Sequence, residues 1–291
     1  MESTKQGSDF NIWDENNPLI RSVYEKDNYI IREYENDSDI AAVYFSSNGL
    51  YYPDTEEEFR KTVAEGNRYE WLRLHRKQVK KEIFLRDIFK CHYVLGINSR
   101  INSIDRLVSF LKELTEGMRV ITVGNSAGGY AAAVVGTCMK AYMVFSFSGQ
   151  NDITGYTRKS VSPAGRYKDD ETRSRYYSIR KLWEGTEIPY TFYFYSGHHK
   201  GDVGQCEQVM GMSDYNRFFP FRFDTDTHEK TMYNFNLPYI LSFDREELKK
   251  LCIHYKDSYI KRFDFSVKVC GLGITLIKTA QKFCKHIIQE A

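Results

Sequence analysis

The stretch Val120-Ile121-Thr122-Val123-Gly124-Asn125-Ser126-Ala127-Gly128-Gly129 carries a β-branched run straight into G-x-S-x-G and then into small residues. The β-branched run predicts a buried strand, and the small, apolar residues from about Ala127 to Met139 predict a helix packed against a sheet. A turn tight enough to lift a serine oxygen above a sheet strains the serine's backbone. Its neighbours must therefore lack bulky side chains, which Gly124 and Gly128 satisfy. The helix start adds backbone donors and a positive dipole end beside that oxygen. A glycine-rich turn with an incidental serine is the competing reading, and the strand before and helix after weigh against it.

Working outward, runs rich in β-branched and aromatic residues predict further strands at Tyr29 to Tyr34, Ile40 to Ser46, Lys81 to Leu85, Tyr142 to Phe147, Tyr190 to Tyr195 and Phe218 to Phe223. Ser103 is a predicted N-cap for a helix in which Ile104, Leu107, Val108, Leu111 and Leu114 recur at helical spacing, with Gly117 closing it. Strands alternating with helices predict an α/β fold with a mainly parallel sheet covered on both faces. The polar segment 150–189 interrupts that rhythm. It mixes Arg158, Lys159, Arg166, Arg173 and Arg175 with Tyr156, Tyr167, Tyr176 and Tyr177, and reads equally as a lid or as a solvated excursion. Two helices are expected at the C-terminal end, one opening near Ser242-Phe243-Asp244 and one over about 272–290.

The strand, serine turn and helix together resemble the nucleophile elbow of the α/β-hydrolase superfamily. That resemblance implies an α/β-hydrolase fold with an inserted lid-like segment, and a chain order of serine, acid after a later strand, then histidine after the last. Asp202, in Ser196-Gly197-His198-His199-Lys200-Gly201-Asp202, stands at the acid's place, and His228, in Asp224-Thr225-Asp226-Thr227-His228, stands at the histidine's. Asp152, just past an earlier strand, is the competing acid. Asp224 and Asp226 are expected to shape the turn before His228 through bonds to backbone.

Each role has a chemical reason. A hydroxyl is a poor nucleophile until a base takes its proton, and an imidazole exchanges protons readily near neutrality. A buried carboxylate fixes the ring's tautomer and stabilises the imidazolium. Ser126, His228 and Asp202 are thus the expected catalytic residues. The oxyanion needs two backbone donors. The Ala127 N–H is one, and the resemblance implies the other from Ser46-Ser47-Asn48-Gly49, at Ser47 or Asn48. The superfamily's usual His-Gly signature is absent there.

Composition narrows the alternatives. The 291 residues carry 41 Lys plus Arg against 39 Asp plus Glu, a net +2, which argues against nucleic acid as a partner. Aromatics make up 15%; core filling accounts for them more simply than a sugar or acyl site does. Six scattered cysteines, without a C-x-x-C pair, give no zinc or disulfide framework, and Cys138 reads as a small hydrophobe in a helix. His75, His92, His254 and His286 are expected at surface or packing positions. His198 and His199 with Asp202 are weighed as metal ligands, but adjacent rings seldom point the same way and no third ligand is evident, so no metal and no cofactor is expected. The first seven residues lack a leader pattern, and Val267 to Ile277 is too short, with Lys268 inside it, to span a bilayer. A cytoplasmic location is expected, with residues 1–28 as an N-terminal extension, 29–255 as the catalytic domain and 256–291 as a helical extension. No oligomeric state follows from the sequence.

The expected activity is acyl-ester hydrolysis through an acyl-serine intermediate, on a small-molecule or carbohydrate ester. An O-acyltransferase using the same three residues is the second reading. A non-catalytic interaction module on the same fold is the third. Charge reversal at Arg173 and Arg175 is expected to raise the KM of an anionic substrate.

Overall fold

Seven strands form one sheet in the order β1-β3-β2-β4-β5-β6-β7. They span Tyr29–Glu33, Ile40–Phe45, Lys81–Leu85, Arg119–Asn125, Met143–Phe147, Tyr190–Ser196 and Phe218–Phe223. All pairings are parallel except that of the edge strand β1 with β3. The computed structural model describes residues 10–74, 76, 78–211, 215–228 and 231–290, with the side chains of 215 and 282–290 outside that description. The leader region, His75 and the His286 side chain, read above from sequence, therefore lie outside the described residues.

The interior strands are buried on both faces, as parallel strands under two helical layers must be. One core packs around the helix Ala127–Met139, whose residues are buried through Thr137, and takes in Ile12, Ile20 and Val23 from the segment before β1. On the opposite face lies an aromatic ladder. Phe147 stacks on Phe194 at 4.8 Å between ring centres, and Phe194 stacks on Phe221 at 4.5 Å, each pair in register on adjacent strands. Such pairs add about 0.5–1.5 kcal/mol each beyond the area they bury. The aromatic excess is thus spent largely inside the core.

The helix Ile104–Leu114 begins where the sequence predicts, with the Ser103 hydroxyl accepting from the Arg106 N–H at 3.2 Å. Asp244 and Glu247 form a reciprocal capping box at the start of Arg245–His254. A helix at Arg262–Cys270, absent from the sequence reading, precedes Leu272–Glu290. Its weak apolar stripe hides it, although Phe265 and Val269 are buried.

Of the two readings of the segment 150–189, a wholly solvated excursion does not match its burial. Ile153, Tyr176, Tyr177, Ile179 and Trp183 are buried in the larger core, and the Trp183 indole N–H donates to Thr137 Oγ1 at 2.8 Å. Two of its basic residues brace the scaffold: Arg173 donates to the carbonyls of Val94 and Asn102, and Arg175 pairs with Asp105. Among the described residues no helix is long and apolar enough to cross a membrane.

Candidate active site

The carboxyl ends of β2, β4, β5, β6 and β7 converge on Ser126, as ligand sites of open parallel sheets do. Ser126 sits between β4 and the helix Ala127–Met139 with φ 52° and ψ −119°, a backbone conformation that costs a non-glycine residue roughly 1–3 kcal/mol. Its N–H donates to the Phe147 carbonyl at 2.8 Å, and its carbonyl accepts from Tyr130 N–H at 3.0 Å. The flanking glycines are sterically required. A Cβ on Gly124 would lie 2.0 Å from the Gly128 carbonyl oxygen, and one on Gly128 would lie 2.3 Å from that of Phe45.

From this turn the hydroxyl reaches His228, with Ser126 Oγ 3.0 Å from Nε2. The other ring nitrogen, Nδ1, lies 2.5 Å from Asp202 Oδ1. Ser126 is 7% exposed and the Asp202 side chain 2%. Burial opposes ionisation of Asp202, but hydrogen bonding and charge attraction from His228, with help from Ser148 and His199, hold its carboxyl below the usual range. The buried Ser148 hydroxyl contributes from nearby, short of a full hydrogen bond.

Lacing between two loops brings His228 to Asp202. The Ser196 hydroxyl donates to the Thr227 carbonyl at 2.6 Å and accepts from Thr225 Oγ1 at 2.9 Å, while His198 N–H donates to the Thr225 carbonyl at 2.9 Å. Asp202 itself stands in the first turn of the helix Lys200–Glu207 and accepts from Ser196 N–H at 3.3 Å.

The competing acids are occupied elsewhere. Asp152 Oδ1 accepts from the N–H and hydroxyl of Thr154. Asp224 pairs with His198 Nε2 at 2.8 Å, and Asp226 accepts from the Thr227 hydroxyl at 3.0 Å. The latter two thus bond side chains, where the sequence led us to expect backbone. Asp224 found its partner across the two laced loops, and Asp226 found one in the next residue of its own loop.

Of the oxyanion candidates, Ala127 opens the helix, so its N–H has no intrahelical acceptor. Ser47 is engaged. Its N–H donates to Glu70 Oε2 at 2.7 Å and its hydroxyl to Oε1 at 2.9 Å. The Asn48 N–H donates to no described acceptor.

Three neighbours of the site carried no sequence motif. Gln150 Nε2 donates to Ser126 Oγ at 3.3 Å. Beside Gln150 lies His92, fully buried against the rings of Tyr130 and Tyr156. Burial drives its pKa down to about 4, and the Gln150 amide pulls the other way, although neither His92 Nε2 nor Gln150 Oε1 has a partner of full hydrogen-bond geometry. Glu70 is the third. Their positions depend on tertiary packing, which no local pattern reports. Of the remaining histidines, His198 stacks on Tyr259 and His254 meets Tyr255 edge-on. Cys138 is a free thiol, raised in pKa by burial.

A cavity of about 880 Å³ adjoins the elbow, its wall including Ser47, Glu70, Trp71, Asn125, Phe147 and Asn234. No residue of 150–189 lines it.

No protein-family model matches the chain, and no curated protein matches it in sequence. Solved structures do resemble it. The capsule O-acetyltransferase of Neisseria meningitidis serogroup A superposes with a TM-score of 0.50 at 9% identity, covering 79% of this chain and 92% of its own. Esterase B from Lactobacillus rhamnosis gives 0.43 at 12% identity, with 80% and 86% covered. S-formylglutathione hydrolase from Staphylococcus aureus gives 0.45 at 10%, with 77% and 98% covered.

Proposed function

The chain has the α/β-hydrolase fold, and on it we propose a serine-dependent enzyme that transfers an acyl group from an ester through a covalent intermediate on Ser126. The observation that carries the reading is the continuous contact from Ser126 Oγ through the His228 ring to Asp202.

In the first half-reaction Ser126 Oγ attacks the ester carbonyl carbon while His228 Nε2 takes its proton. Ionised Asp202 holds the Nδ1–H and stabilises the imidazolium. The carbonyl electron pair moves onto oxygen, where the N–H groups of Ala127 and Asn48 receive it; one such donor is worth roughly 10²–10³ in rate. The C–O bond to the leaving alcohol then breaks, and His228 returns its proton to that alcohol. In the second half-reaction an acceptor O–H loses its proton to His228 and attacks the acyl carbon, the bond from that carbon to Ser126 Oγ breaks, and His228 returns the proton to Oγ.

Water as acceptor makes the enzyme an esterase, which is the reading we adopt. A second reading, O-acyl transfer to a hydroxyl of a carbohydrate, is favoured by the cavity beside the elbow, whose mixed polar and aromatic wall has room for an acceptor as well as an acyl group. The O-acetyltransferase resemblance is compatible with it and rests on fold analogy alone. Purified protein incubated with an activated acetyl ester, with and without an alcohol acceptor, separates the two by product: free acetate alone, or acetylated acceptor. A non-catalytic module would leave the ester intact and give no labelling by a fluorophosphonate.

A further inference from the structure

Two imidazoles converge on one carboxylate oxygen. His199 Nδ1 lies 2.9 Å from Asp202 Oδ1, the same atom that His228 Nδ1 approaches at 2.5 Å. The two rings are 5.4 Å apart, and their side chains are 36% and 33% exposed while that of Asp202 is 2% exposed. His198, next in sequence, turns away to Asp224. The ligand atoms of His199, Asp202 and His228 all lie within 4.8 Å of one another.

A second observation points the same way. His199 Nδ1 also accepts the Asp202 N–H at 3.2 Å, as N-cap of the helix Lys200–Glu207. One nitrogen cannot accept that proton and also donate to Oδ1. When it accepts, no hydrogen bridges Nδ1 and the carboxylate oxygen 2.9 Å away, and a cation that displaces the weak 3.2 Å cap can take the lone pair and bridge the two.

We propose that His199, Asp202 and His228 form a binding site for a zinc-class divalent ion, and that occupation of this site switches the enzyme off. Two imidazoles and one carboxylate are a donor set that suits zinc, whereas calcium and magnesium prefer all-oxygen shells. Metal–ligand bonds of about 2.0–2.2 Å in a tetrahedron set ligand atoms roughly 3.4 Å apart, so the two contacts to Oδ1 open by less than about an ångström and the two ring nitrogens, within 4.8 Å, draw together toward the same spacing. The half-exposed rings leave the remaining position to solvent.

The inhibitory effect follows from the tautomer. A metal on His228 Nδ1 displaces the proton there, and the neutral ring then carries its hydrogen on Nε2. That nitrogen faces Ser126 Oγ, and with its lone pair consumed it accepts no proton. Asp202 is already ionised, so binding moves the ring proton from Nδ1 to Nε2 through solvent and releases none.

The switching half of the proposal rests on the acyl-transfer reading, while metal binding does not, so the test has two readouts. Full-length protein is stripped with chelator and titrated with Co²⁺, read by visible absorption, with Zn²⁺ as competitor. Tetrahedral Co²⁺ bands displaced by zinc are expected, with affinity reduced more than about tenfold in both His199→Gln and His228→Gln. The second variant leaves the helix cap intact, and circular dichroism confirms that each is folded. Separately, zinc should abolish ester hydrolysis, chelator should restore it, and His199→Gln should need more than about tenfold more zinc for the same inhibition. Metal affinity unchanged in both folded variants overturns the site. Equal inhibition of wild type and His199→Gln, or activation by zinc, overturns the switch. Absence of hydrolysis in stripped wild type alongside intact Co²⁺ binding overturns the acyl-transfer reading and the switch but leaves the metal site standing.

Discussion

Glu70 holds both the backbone N–H and the hydroxyl of Ser47, at 2.7 and 2.9 Å. The carboxylate thereby removes Ser47 from the pool of oxyanion donors and braces the turn that presents the next N–H, that of Asn48. Asn48 opens a short 3₁₀ turn and Ser47 is extended at φ −85° and ψ 178°, so proline at position 48 fits both residues. Asn48→Pro should lower kcat by roughly 10²–10³ while Asn48→Ala, which keeps the N–H, stays within a few-fold of wild type. Equal rates for the two would move the second donor elsewhere.

The triad is tested by contrast between carboxylates. Ser126→Ala should abolish fluorophosphonate labelling and turnover, and Asp202→Asn should cost on the order of 10⁴ in kcat. Asp152→Asn, whose carboxylate caps its own turn at Thr154, should leave kcat near wild type. A dead Asp152 variant beside an active Asp202 variant would reverse the assignment.

Steric demand at the elbow makes a separate stability prediction. Gly128→Ala forces a Cβ toward the Phe45 carbonyl and cannot be relieved by a side-chain rotation, because both neighbours are backbone. A loss of about 1–3 kcal/mol or more is expected, measured as a lower denaturation midpoint at unchanged slope.

Acid sensitivity should trace in part to His92. Its folded pKa is depressed from 6.5 to about 4, chiefly by burial. Between those values the unfolded chain binds the extra proton, so stability is full above about pH 6.5 and falls as pH drops toward 4. The loss is of the order of 3 kcal/mol. Melting temperatures at pH 7 and pH 5 should therefore differ less in His92→Phe than in wild type, and an equal difference would remove His92 as the cause.

Arg173 should behave as a scaffold residue. Its guanidinium satisfies the carbonyls of Val94 and Asn102, so Arg173→Glu strands them and should destabilise the fold by about 2–3 kcal/mol. The KM for charged and neutral esters should stay the same, contrary to what its basic, tyrosine-rich neighbourhood implied from sequence. A selective rise in KM for anionic esters would restore a binding role.

All seven strands were legible because each is a short β-branched or aromatic run whose burial on a sheet is a local property. Gly124, Ser126 and Gly128 were legible because a strained turn restricts residue types at fixed spacing. Asp202 and His228 needed the superfamily's chain order, since nothing local says that two loops 26 residues apart are laced through Ser196 and Thr227. Glu70, Gln150 and the inward turn of His199 were illegible, since each acts across a gap closed only by tertiary packing. Arg173 and Arg175 read as an open basic patch because charge on a string does not disclose a partner already in place, backbone carbonyls for Arg173 and the Asp105 carboxylate for Arg175.

The ladder of Phe147, Phe194 and Phe221 runs beneath the ends of the strands from which the elbow's anchor, the acid and the base extend. Backbone hydrogen bonding sets the spacing of those strands, and the stacked rings fill the dry interior beneath the loops that carry the proposed acid and base. Shrinking the middle rung at Phe194 would open a void under both proposed groups while touching neither, so stability and turnover should fall together.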